Sequence, residues 1–358
     1  MNSIGSNSTI NTLKKYLNAY KSIFYKRSFE NFQILIFSIF YMQEVKSIKL
    51  IYDKFIKKYW NVCVAIAIPI LHNHKIKYIK FPIQYRIYDK SRTKLELASE
   101  MILSVAPALA EYQVIVTCDS WYTKKPFISE IEKFSNIHII GALRSDTAMF
   151  EVNFEKHTGK KGCPRKKGNK INYRNLKYTK EGKFFIAYTK AKINLTNKNV
   201  CITVTTTDIE NFKSVRIYMS TINPNKIRSF DNVPSEDKPE LDKSIYNIYK
   251  IRWNIEVIFY QQKTFCSFSN YMVRSKCAIE KYVNLLGVAY SMCIMLPFIT
   301  DKFSYYKLQS PQELKYYLSE CIIKELFFDK LLETLQSVKN IITFKDVINC
   351  FASQDEVR

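Results

Sequence analysis

Tyr249, Arg252, Glu256 and Lys263 recur at helical spacing inside IYKIRWNIEVIFYQQK. At roughly 100° per residue their side chains fall within an arc of about 60°, while Ile248, Ile251, Ile255 and Ile258 take the other side. A carboxylate with Arg and Lys one or two turns away suits chemistry on a phosphodiester, because Glu can hold a divalent metal while the cations hold phosphate oxygens. The same spacing also serves a solvated helix face with i,i+4 ion pairs. A second segment, QVIVTCDSWY from Gln113 to Tyr122, is a short apolar run that ends at Asp119. A strand of β-branched residues that delivers an Asp at its C-terminal end is how α/β sheets present a catalytic or metal-binding carboxylate. An Asp in that place also serves simply to cap the helix that follows, expected over Lys125 to Phe134. Ile137 to Leu143 reads as the next buried strand.

These residues carry a family resemblance. CDSWYTKKPFI, with IIGALRSD downstream, and the Y-x2-R-x3-E-x6-K pattern at Tyr249 to Lys263 resemble the DDE transposases of bacterial insertion sequences, in the group with the YREK signature. KKGCPRKKG (160–168), YMSTINPNK (218–226) and YMVRSKCAIEKYVNLLGVAY (271–290) add to the likeness, which runs from about Asn61 to about Pro297. It implies an α/β fold: a ribonuclease-H-like, retroviral-integrase-like core at 61–145 and 240–300, with a β-rich insertion at 146–239. In that family three carboxylates bind two Mg²⁺ (or Mn²⁺) ions that drive strand cleavage and transfer at element ends. Asp119 would be the middle carboxylate and Glu256 the last. Tyr249, Arg252 and Lys263, with Trp121, would contact the DNA end. The implied partner is double-stranded DNA, with a homodimer on DNA left open.

The first carboxylate has no obvious holder. NVCVAIAIPI from Asn61 and KYIKFPIQY from Lys77 read as a β-hairpin turning at His72 to Lys75, the family's second and third strands. The first strand, with its Asp, is expected just upstream. Instead Glu44 to Trp60 reads as a helix, with Val45, Ile48, Ile51, Tyr52, Phe55 and Ile56 on one side. Its only acids are Glu44 and Asp53, and Asp89 follows the third strand. A segment near residue 60 therefore reads as absent, and loss of one carboxylate is expected to cripple metal binding.

The net charge of +23, from 55 Lys and Arg against 32 Asp and Glu, favours a polyanionic partner, although an AT-rich genome would also enrich Lys. The charge clusters in KHTGKKGCPRKKGNK, 156–170, with seven basic residues and no acid. Such a loop, carrying Lys160, Lys161, Arg165, Lys166 and Lys167, can track a DNA backbone without reading bases, or remain solvated. FQILIFSIFYM (32–42) reads as a core helix, too short to span a membrane. The nine Cys form no C-x2-C pair and the four His are scattered, which argues against zinc and for buried thiols. A reducing, cytoplasmic and nucleoid-associated setting is expected. Residues 1–60 read as a helical N-terminal region. Ile279 to Ile299 reads as a helix covering the sheet, and 301–358 as a helical tail with Pro311 opening one helix and Thr343 capping another.

Overall fold

The structure, a computed structural model, describes residues 34–45, 59–72, 75–154, 166–227, 244–273 and 275–337. The chain divides into two units, Met1–Leu308 and Gln309–Arg358. In the first, the described strands are β1 (Ile34–Val45), β2 (Tyr59–His72), β3 (Lys75–Tyr88), β4 (Gln113–Cys118), β5 (Ile137–Leu143), β6 (Met149–Phe150), β7 (Thr179–Glu181), β8 (Phe184–Ile193), β9 (Asn199–Thr206) and β10 (Arg216–Ser220). They form one mixed sheet in the order β3-β2-β1-β4-β5-β10-β9-β8-β6, with β7 paired to β8. The β1–β4 and β4–β5 ladders are parallel and the others antiparallel. The β2–β3 hairpin turns between His72 and Lys75, where the sequence places it.

Two expectations fail at the N-terminal side. FQILIFSIFYM is not a core helix: Ile34–Val45 is a strand between β2 and β4, and so the first strand that the sequence reading finds missing is present. The physical reason is composition. A strand in the sheet interior reads as a near-continuous apolar run, which periodicity does not distinguish from a buried helix, and the Ile, Phe and Tyr of this run favour the pleated form. The helix read over Glu44 to Trp60 is likewise replaced at both ends by strand, and 46–58 lies outside the described residues. Among the described residues the stretch between Asp119 and Glu256 holds β5 to β10, and its later strands extend the core sheet, because β10 pairs with β5 along Ile217↔Leu143 to Ser220↔Ile140.

Alternation along the strands sets the two faces. Val114, Val116 and Cys118 of β4 join one core cluster with the helices α1 (Lys94–Val105) and α2 (Lys125–Ile131). Ile115 points the other way, into a cluster with Ile245 and Ile248 of α3 (Ile245–Lys250). That second face continues under α4 (Asn254–Phe265) and α5 (Lys276–Ile299), where Ile255, Ile258, Phe259 and Val283 pack on Cys63, Ala65 and Tyr85. Gly287 lets α5 approach β3, since a Cβ there would lie 2.9 Å from the Tyr85 ring. Local signals start these helices: Thr93 and Glu96 form a capping box at α1, and Ser244 and Ser275 cap α3 and α5. In the second unit Pro311 opens α6 (Pro311–Ser337) as expected, while Thr343 lies outside the described residues.

Candidate functional site

Asp119 follows the last residue of β4, which is fully buried along its length. Its Oδ1 accepts from the Trp121 and Tyr122 amides at 2.8 and 3.3 Å, and its carbonyl oxygen accepts from Tyr122 and Thr123. Both side-chain bonds fall on Oδ1, so the carboxylate is fixed by the turn it closes; α2 itself is capped elsewhere, at Lys124 and without a side-chain bond. The turn is anchored to β5 by Thr123, whose hydroxyl donates to the Ala142 carbonyl at 2.5 Å. Gly141 makes room for it, because a Cβ there would collide with the Thr123 methyl.

Tyr249, Arg252, Glu256 and Lys263 do not share one unbroken α-helix. Tyr249 lies in the last turn of α3, Arg252 sits in a 3-10 stretch over Ile251–Trp253, and Glu256 occupies the first turn of α4. The break lets α3 pack over β4, β5 and β10 while α4 packs over β1 and β3, following the twist of the sheet. The 3-10 stretch lies against β1 and β4, which brings Arg252 beside the end of β4. Arg252 donates to Glu256 Oε1 at 2.7 Å, with side chains 14% and 23% exposed. Burial works to lower the Arg252 pKa, yet Tyr249, Glu256 and Asp119 together hold the guanidinium above its ordinary value. The Tyr249 ring lies 4.6 Å from that of Tyr218, tilted by 48°, and burial, against the pull of Arg252, pushes its phenol up to about 12. Thus Arg252 lies within electrostatic reach of both carboxylates that the sequence singles out. Lys263 is exposed in the last turn of α4.

Trp121 is 42% exposed and holds two cations, Lys124 Nζ at 4.4 Å and Lys94 Nζ at 4.9 Å from the ring. Burial pulls the Lys94 pKa down while Asp119 pulls it up, so Lys94 belongs to this site. The sequence reading misses it. The Thr93 to Glu96 capping box could have located the start of its helix, but nothing local ties that start to Asp119. Of the basic loop, Lys160, Lys161 and Arg165 lie outside the described residues. Lys166 and Lys167 are exposed, and Lys167 donates to Asn194 at 2.7 Å. Asp53 also lies outside. Asp89 pairs with Lys276 instead of joining Asp119, and that partner, with Ser91, holds its carboxyl well below the usual range. Of the three thiols in strand-like runs, Cys63 and Cys118 are buried as expected, while Cys201 on β9 is only half-buried.

The chain matches the transposase DDE domain family over residues 77–292, more than half of its length, and it belongs to that family. Its chemistry is therefore that of DNA transposition, and the family implies an RNase H-like core. The match begins inside β3 and leaves out β1 and β2. No individually curated protein matches the chain. Transposases of this family generally use divalent metals. Among the described residues no three His, Cys, Asp or Glu side chains converge to hold an ion. Asp119 and Glu256 alone do not fit a pair of Mg²⁺ ions, each of which demands near-octahedral oxygen ligation and a carboxylate shared between them.

Proposed function

We propose that this chain is a transposase of the YREK group that recognises insertion-sequence ends on double-stranded DNA and is impaired in cutting them. Asp119 takes the middle carboxylate position and Glu256 the last. Tyr249, Arg252 and Lys263 take phosphate oxygens near the scissile end, with Trp121 and its two lysines beside them. The observation that carries this reading is Arg252, bonded to Glu256 and within electrostatic reach of Asp119, because it joins the two sequence motifs through one cation suited to phosphate. The impairment rests on the register of β1, which pairs Ser38 with Thr117 and so sets Phe40 level with Asp119. A second reading, a DNA-binding remnant without chemistry, draws on the same feature. Mg²⁺ or Mn²⁺ belongs to the intact site of the family.

The test compares binding to pre-cut element ends with binding to random duplex. Arg252→Ala or Lys263→Ala is expected to weaken the first more than the second. Equal losses on both would return the motif to an ordinary ion-paired helix face.

A further inference from the structure

We propose that a second DNA contact lies at the end of the sheet opposite Asp119. A cleft of about 1210 Å³ opens there, lined by Gln113, His138 and Asn199 from the starts of β4, β5 and β9. Lys170, Lys190 on β8 and Lys226 after β10 line it, and all three are exposed. Among the described lining residues Glu151 is the one acid, and its Oε2 accepts from the Asn169 amide. Lys198 adds a fourth cation nearby: burial first and then Lys198 push the His138 pKa down.

Size and lining indicate the occupant. Small-molecule sites are mostly apolar and hold about 300–1,000 Å³. This cleft is larger and polar, and a second cleft of about 480 Å³ continues it through the shared Thr189, Lys190, Cys201 and Asn223 to Tyr188, which is half exposed. An extended run of lysines and amides fits a sugar-phosphate backbone. Gln113 and Asp119 stand six positions apart along β4 and its end, about 20 Å at 3.3 Å per residue. One phosphate cannot serve both ends, so this contact is distinct from the Asp119 end. The inference rests on the family's DNA chemistry but not on the roles given to Asp119 and Glu256.

The experiment maps lysine acetylation by mass spectrometry on the full chain, with and without a random-sequence duplex, and measures how binding falls with salt. DNA is expected to protect Lys170, Lys190 and Lys226. The variant Lys170→Gln/Lys190→Gln/Lys226→Gln, shown folded by its thermal melt, is expected to bind with a salt slope shallower by about 2.7, at 0.9 per phosphate contact. Wild-type binding with these lysines still reactive, or equal protection by inorganic phosphate alone, would overturn the second contact and leave the transposase reading standing. No DNA binding by the wild-type chain would sink both.

Discussion

Ser38 is the register partner of Thr117 in the parallel β1–β4 ladder, and two residues further along each strand stand Phe40 and Asp119. The position of β1 level with Asp119 is therefore an aromatic residue, and the residue two before it is a serine. The strand's acid, Glu44, lies four residues beyond Phe40, about 13 Å along the strand, in the stretch where the pairing with β2 shifts between Met42 and Val45. Two-metal chemistry needs ions about 4 Å apart, so a ligand displaced by that distance does not substitute for one beside Asp119.

The contact between Gly141 and Thr123 supports the Asp119 turn. Gly141→Ala is expected to destabilise the fold by about 1–3 kcal/mol, because the added methyl meets the Thr123 side chain in a packed setting. Thr123→Ser removes the colliding methyl and keeps the hydroxyl bond to Ala142. Urea unfolding of the double variant is expected to show a smaller loss than the sum of the single variants, and strict additivity would deny the contact.

Tyr85 donates a buried hydrogen bond to Gln262, which is itself fully buried on α4. Tyr85→Phe removes the donor and leaves a buried amide oxygen without it, at a cost of about 1–3 kcal/mol. A chemical denaturation midpoint equal to wild type would show the bond to be dispensable.

Glu256 neutralises Arg252 in the free chain. Glu256→Gln is expected to cost roughly 0.5–1 kcal/mol of stability, as a partly exposed ion pair does, and to leave DNA affinity unchanged or raised, since the guanidinium is freed for phosphate. A fall in affinity measured by fluorescence anisotropy would place Glu256 in DNA binding itself.

The basic run 156–170 is expected to contribute to the salt dependence of DNA binding. Changing Lys160, Lys161, Arg165, Lys166 and Lys167 to Gln should flatten the slope of log affinity against log salt, by up to about 4.5 if each contacts one phosphate. An unchanged slope would acquit the run, and the bond of Lys167 to Asn194 suggests that it contributes least.

The parts of this architecture legible in the sequence are those with local signals. The β2–β3 hairpin, the strand ending at Asp119, the strand from Ile137 to Leu143 and the helix over Ile279 to Ile299 follow from apolar runs between turn and cap residues. β1 is not legible, because an interior strand lacks the polar alternation that distinguishes strand from helix. The site is legible as residues but not as geometry. The spacing of Tyr249 to Lys263 predicts one helix, whereas tertiary packing against a twisted sheet divides it at Ile251–Trp253. Lys94 escapes notice because its link to Asp119 is made across the fold, by a helix that begins beside the Trp121 ring.

The proposed impairment, that β1 sets no carboxylate level with Asp119, is checked by a nicking assay on DNA carrying the element's own ends, in Mg²⁺ or Mn²⁺. No cleavage above that of Asp119→Asn is expected, with cleavage gained in Ser38→Asp or Phe40→Asp. Robust metal-dependent cleavage by the unaltered chain, abolished in Asp119→Asn, would contradict it.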